Sequence, residues 1–317
     1  MGKVAFIFPG QASQYSGMGK ELAEKFPAAR AIFEEADNAL GISVSKLCFE
    51  GTEEELKLTA NTQPAILTVS VAALRVLGEK GITADYVAGH SLGEYSGLVA
   101  AGSLNFADAV KLVRKRGTYM QEATPAGQGA MAAIMGLSPT VVFDVCKRAA
   151  QGEVCSPANL NSPEQTVISG NAGAVKRAVE IASQSGAKRA VMLAVSAPFH
   201  SELMAPAQQK LEKDLNSTKF VDLQMPLVTN VDADTIRKGD EARSALVRQV
   251  TMPVRWEESM RMLLDEGVNT FIEVGPGRVL IGLMRQIERS VTTLNVEDEK
   301  SLAATLDKIT GATSDAA

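Results

Sequence analysis

Along this chain the spacing of apolar residues changes rhythm twice. A continuous apolar run at 3–8 (KVAFIF) predicts a buried strand, and the loop PGQASQYSGMG after it gives way to amphipathic helical patterns near 19–39 and 53–59. Over 63–80, Ile66, Val69, Ala73, Val76 and Leu77 recur at helical spacing and Gly81 marks the stop. A short strand at 85–89, a helix beginning just after Ser91 and a helix at 106–123 complete the first rhythm, which ends in the glycine-rich stretch TPAGQGA.

The second rhythm predicts strand 130–136, helix 139–151, strands 154–160 and 165–170, helix 172–185 and strand 188–195. This βαββαβ order is that of a ferredoxin-like unit, which closes a small sheet of its own. The first rhythm then resumes with helix 201–216, strand 226–230, helices 240–250 and 256–266, strand 270–274, helix 279–288 and strand 291–296. The expected α/β fold is therefore a discontinuous, mostly parallel sheet domain (1–126 and 198–317) with a ferredoxin-like small subdomain inserted at 127–197. Only the final GATSDAA reads as a frayed tail.

At 317 residues, 45% hydrophobic and 22% charged, the chain can bury a core large enough to hold a rigid site. A net charge of -5 without a long basic run disfavours nucleic acid as a partner. No apolar run reaches the length of a membrane span, and the run before Pro9 is too short for a signal peptide, so no membrane partner is expected. Three cysteines without C-x-x-C spacing suit a reducing cytoplasm and give no disulfide framework.

Within DYVAGHSLGEYSGLVAAG, Ser91 stands in G-x-S-x-G spacing between a strand and a helix. Taken alone the pattern occurs by chance and is more often a turn. Between those two elements it has the makings of a nucleophile elbow, where flanking glycines permit a turn tight enough to expose the hydroxyl. The Leu92 amide at the helix start would face a developing oxyanion. A serine hydroxyl attacks only when a base takes its proton, and the chain has two histidines. His90 lies inside the elbow, pointing away from an attacked carbonyl, which leaves His200 in SAPFHSELM as the candidate base, with a capping or surface histidine as the alternative. Arg116, in RKRG, reads from the sequence alone either as part of a solvated basic face or as a carboxylate clamp. No acid is marked as the third member of a triad. The EVGPG glycines fit no nucleotide-binding pattern, and two histidines without partners supply no metal set, so neither cofactor nor metal is expected.

FPGQASQ, TQPAILT, GHSLGEYSGLVAAG, RGTYMQEA, the His200 segment, VRQVTMPVRW and EVGPGRVL occur in the order found in malonyl-CoA:acyl-carrier-protein transacylases. The chain resembles that family over nearly its full length, including a hydrolase-like domain with a ferredoxin-like insertion. The resemblance implies that Ser91 is acylated, that His200 is its base, and that the backbone amides of Gln11 and Leu92 form the oxyanion hole. It also implies that Arg116 binds the malonyl carboxylate, that a carbonyl near the VRQ segment orients His200, and that Gln249 has a supporting role at the substrate. Malonyl-CoA and acyl carrier protein are the implied partners of a chain expected to be monomeric, with fatty-acid elongation as the setting.

Phe199 precedes His200 as F-H, which in related polyketide acyltransferase domains goes with malonyl rather than methylmalonyl units. The ring shapes the acyl pocket or else packs in the core beneath His200. Lys188 and Arg189 form one candidate landing site for an acidic carrier, or simply an edge charge that discourages strand pairing. A serine hydrolase on a similar sheet and an inactive carrier-binding protein are the competing classes. Arg116 argues against the first, since a neutral-ester hydrolase gains nothing from a buried guanidinium. The intact Ser91 and His200 argue against the second.

Overall fold

A computed structural model describes residues 2–125, 127–195 and 197–314. Among the described residues ten strands run in chain order as β1 (Lys3–Phe8), β2 (Tyr86–Gly89), β3 (Gly129–Met135), β4 (Cys155–Ser162), β5 (Gln165–Asn171), β6 (Arg189–Met192), β7 (Leu227–Val228), β8 (Thr235–Ile236), β9 (Val268–Val274) and β10 (Thr292–Val296). They form two sheets.

The larger sheet has the order β10-β9-β1-β2-β7-β8 and is parallel except for β8, which turns back against β7. Central β1 explains its own sequence. Phe6 and Phe8 join the core that contains helices Thr59–Glu79 and Phe106–Glu122, whereas Ala5 and Ile7 join the opposite core with Trp256–Asp265 and Val279–Ile287. A parallel strand covered on both faces has no polar side to show, hence the unbroken apolar run.

The smaller sheet, β4-β5-β3-β6, is antiparallel throughout and carries helices Pro139–Ala150 and Ala172–Gln184. Along β3 the side chains alternate. Ala130, Ala132 and Ile134 pack with Val142, Val145 and Val175 of those helices, while Met131, Ala133 and Met135 line a cleft beside the larger sheet. Leu160 N donates to Val254 O and Val254 N to Ala158 O, both at 2.9 Å, which ties β4 to the larger unit.

Several elements differ from the expectation. The pattern at 19–39 divides into helices Lys20–Lys25 and Pro27–Leu40, because Pro27 opens the second and cannot donate within the first. The helix expected at 63–80 begins a turn earlier, at Thr59, so Pro64 lies inside it. Proline there leaves the Ala60 carbonyl without its helical donor, and Arg114 Nη1 fills the vacancy at 2.6 Å. Helix Val44–Glu50 and strand β8 are additions. So is helix Glu299–Ser314, which corrects the frayed-tail expectation for 311–314; residues 315–317 of that tail lie outside the described residues. Asp298 caps this helix by accepting from Ser301 N at 2.7 Å, and Leu302 anchors it in the core.

Candidate active site

Strands β1 and β2 are parallel neighbours with Phe8 opposite Gly89, so the loops leaving them emerge side by side at the carboxyl edge of the sheet. The approach is close enough to dictate glycine. A Cβ on Gly10 would lie 2.5 Å from His90 O, one on Gly93 2.0 Å from Phe8 O, and one on Gly89 1.9 Å from the Gly93 carbonyl carbon. The flanking glycines of G-x-S-x-G thus serve contact between backbones. The left-handed conformation falls on Ser91 itself, at φ 51°, as it does on His200 at φ 56° and Ala12 at φ 84°. Strained non-glycine residues gathered at one cleft mark a geometry held by its surroundings.

Ser91 Oγ and His200 Nε2 are 2.8 Å apart. On the far side of the ring His200 Nδ1 lies 2.8 Å from Gln249 O. A carbonyl can only accept, so Nδ1 carries the proton and Nε2 is left free to accept from the serine hydroxyl. The orienting group is therefore a backbone oxygen rather than a carboxylate. Burial, with Arg116 as a second cause, lowers the His200 pKa to about 3 and keeps the imidazole neutral.

Arg116 is buried, yet its guanidinium reaches the cleft wall. Nη1 donates to Gln63 Oε1 at 2.9 Å, and Nη2 donates to Gln249 Oε1 at 2.9 Å and to Ser91 Oγ at 3.0 Å. Gly117 makes this reach possible, because a Cβ there would lie 2.5 Å from Thr59 O and force the two helices apart. The solvated basic face is excluded for this residue.

Gln11 and Leu92 line the same cleft as Ser91, and among the described residues neither backbone amide has an acceptor. The Ser91 amide is already engaged, donating to Asn230 Oδ1 at 2.6 Å. Phe199 is 8% exposed and belongs both to the main core and to the cleft wall. Gln249 is fully buried behind the cleft and is not among the residues that line it; its Nε2 donates to Ser91 O and to Glu94 Oε2, both at 2.9 Å, which braces the elbow, while its backbone oxygen holds His200.

Four residues complete the arrangement without having been singled out from the sequence: Gln63, Glu94, Asn161 and Asn230. Gln63 and Glu94 sit inside the TQPAILT and GHSLGE stretches, so a signal existed. Asn230 Nδ2 donates to Gly89 O at 2.6 Å while its Oδ1 accepts from Ser91, clamping both ends of the elbow. His90 turns from the nucleophile toward Asn161 Oδ1, 2.9 Å from its Nε2, and its ring lies 5.5 Å from that of Trp256. Lys188 pairs with Glu164 at 3.0 Å, and exposed Arg189 begins edge strand β6.

The cleft encloses about 340 Å³ between the two sheets. Among the described residues that line it, its apolar wall of Met131, Val167, Leu193 and Phe199 faces one cation, Arg116, beside the Ser91 hydroxyl and the neutral His200 imidazole, with His90 also in its lining. That combination suits acyl transfer to and from a serine ester on a chain ending in a carboxylate.

A family model described as an acyl transferase domain matches residues 5–311. The malonyl CoA-acyl carrier protein transacylase of Bacillus subtilis (strain 168) is 52% identical over 303 residues, covering 95% of this chain and 96% of the relative. That of Escherichia coli (strain K12) is 47% identical and covers 97% of this chain and 100% of its own. Among solved structures, the transacylase of Clostridium perfringens superposes with a TM-score of 0.96 at 41% identity, covering 99% of both chains. A malonyl-transacylase solved with a type II PKS acyl-carrier protein superposes with a TM-score of 0.94 at 46% identity, covering 96% of this chain and 99% of that one. Matched over nearly its whole length in sequence and in fold, the chain belongs to the malonyl CoA-acyl carrier protein transacylases of the acyl transferase domain family.

Proposed function

We propose that the protein transfers a malonyl group from malonyl-CoA to the phosphopantetheine thiol of an acyl carrier protein through a malonyl ester on Ser91, supplying fatty-acid elongation. The observation that carries this reading is the buried Arg116 guanidinium at hydrogen-bond distance from the Ser91 hydroxyl. His200 takes the hydroxyl proton as Ser91 attacks the thioester carbonyl, and the Gln11 and Leu92 amides receive the oxyanion. The C–S bond breaks, and the thiolate of coenzyme A leaves with the proton from His200. The carrier thiol then enters the same cleft, gives its proton to His200 and attacks the serine ester; the ester C–O bond breaks and His200 returns the proton to the Ser91 oxygen.

Arg116 holds the distal carboxylate through both steps and so fixes the carbonyl before Ser91. An esterase for neutral acyl groups would have no use for that cation. Phe199 narrows the cleft at the position of a 2-methyl branch. The carrier-bound relative, the full-length similarity to transacylases and the cleft between two sheets all support this reading. The division at 127–197, a cytoplasmic location, function without a cofactor and a landing site at Lys188 and Arg189 belong to the same proposal. Incubation with malonyl-CoA and a holo carrier tests it. Malonyl-carrier should accumulate, and hydrolysis to free malonate without carrier loading would favour the hydrolase instead.

A further inference from the structure

Arg116 is a buried cation whose hydrogen-bond partners, Gln63 Oε1, Ser91 Oγ and Gln249 Oε1, are all neutral. An isolated charge in such a place is costly unless a counter-charge lies near. The Gln249 amide leads to one. Its Oε1 accepts from Arg116 while its Nε2 donates to Glu94 Oε2, so a single amide joins guanidinium to carboxylate. Glu94 is 1% exposed and also accepts from Asn230 N at 3.0 Å through that same oxygen. Its other oxygen, Oε1, is buried without a hydrogen-bond partner among the described residues. That oxygen is free to carry a proton.

We propose that Glu94 is the internal counter-charge of Arg116, relayed through Gln249, and that it takes up a proton when an acyl carboxylate reaches the guanidinium. The inference rests on the reading of Arg116 as the malonyl clamp. Before loading, one cation and one carboxylate balance each other in the buried site. Malonyl brings a second carboxylate to the same cation, and protonation of Glu94 restores the balance. The groups that act on Glu94 are Arg116 from helix Phe106–Glu122, Asp232 after β7, and Arg248 on helix Gly239–Gln249. Its neighbour Tyr95 carries a hydroxyl held neutral by burial. Burial already raises the Glu94 carboxyl to about 7, so a modest added field suffices to protonate it near neutrality.

The experiment follows protons with an indicator dye while intact mass follows loading from malonyl-CoA, with the coenzyme A thiol contribution subtracted by titrating coenzyme A alone. At about pH 8, wild type should take up a large fraction of a proton per malonyl loaded, and Glu94→Gln none. Full loading without uptake overturns the proposal and leaves the transacylase reading standing. Failure to load at all removes that reading and this proposal with it. Uptake that persists in a Glu94→Gln protein that loads would overturn the assignment to Glu94. Should that variant not load, wild type decides alone: uptake must vanish by about pH 5.5, where the free carboxyl is already protonated, and undiminished uptake there overturns the proposal.

Discussion

Arg116 Nη2 lies 3.0 Å from Ser91 Oγ, so the cation proposed to hold the acyl carboxylate also touches the hydroxyl proposed to be acylated. On the proposed reading, the carboxylate of a bound malonyl group and its reacting carbonyl would be positioned from one point, which would couple selection to chemistry.

Arg116→Ala should therefore reverse the acyl preference. Loss of charge-assisted hydrogen bonds of about 1.5 to 3 kcal/mol lowers malonyl loading roughly ten- to two-hundredfold, while acetyl is spared or gains. Arg116→Lys should recover part of the malonyl activity, since an ammonium supplies charge without the planar fork. An unchanged malonyl-to-acetyl ratio in the alanine variant would place the carboxylate elsewhere.

The pH profile follows from His200. A base acts while unprotonated, and with a pKa lowered to about 3 the imidazole is still neutral where an ordinary histidine has become charged. Loading measured as kcat/KM for malonyl-CoA should not decline as pH falls from 7 to 5. A decline centred at the ordinary histidine value, about 6.5, would show that the ring titrates normally and is not sealed as the structure has it.

Phe199→Ser should raise methylmalonyl transfer relative to malonyl. One methyl group in a packed pocket is worth about 1 to 3 kcal/mol, which limits the shift in ratio to between about ten- and two-hundredfold. Because the ring also belongs to the core, the melting temperature should fall as well. A lower melting temperature with an unchanged ratio would assign the ring to packing alone.

Gly93→Ala tests the elbow. The added methyl would stand 2.0 Å from the Phe8 carbonyl, so β1 and helix Gly93–Ala100 must separate. Overpacking of this kind costs about 1 to 3 kcal/mol, and the displaced Ser91 should load malonyl poorly. A variant with wild-type melting and loading would mean that the strand and helix are not held as tightly as described.

The fold was legible wherever periodicity and punctuation agreed. The run at 3–8 reads as a buried strand and is covered on both faces, whereas the nearly all-apolar β3 hides which of its residues face the helices and which face the cleft. The helix expected at 63–80 starts a turn earlier, and nothing local in the sequence reveals that Arg114 fills the carbonyl that Pro64 frees. Ser91 and His200 followed from one motif and a shortage of histidines. Arg116 was a basic residue among others until the family resemblance singled it out. Asn230 and Glu94 were invisible as parts of the site because their work is done across the fold: Asn230 is 139 positions from the Ser91 amide it holds. Contacts between backbones, such as Gly93 against Phe8, leave a glycine in the sequence but not the reason for it.

The central claim is that Ser91 carries malonyl between two thiols, and intact-protein mass tests it most directly. After mixing with malonyl-CoA, wild type should gain one malonyl group and lose it when a holo acyl carrier protein is added, with the carrier gaining the same mass. Ser91→Ala should gain nothing. A malonyl adduct at full yield in Ser91→Ala, or a wild-type adduct that the carrier does not remove, would contradict the account.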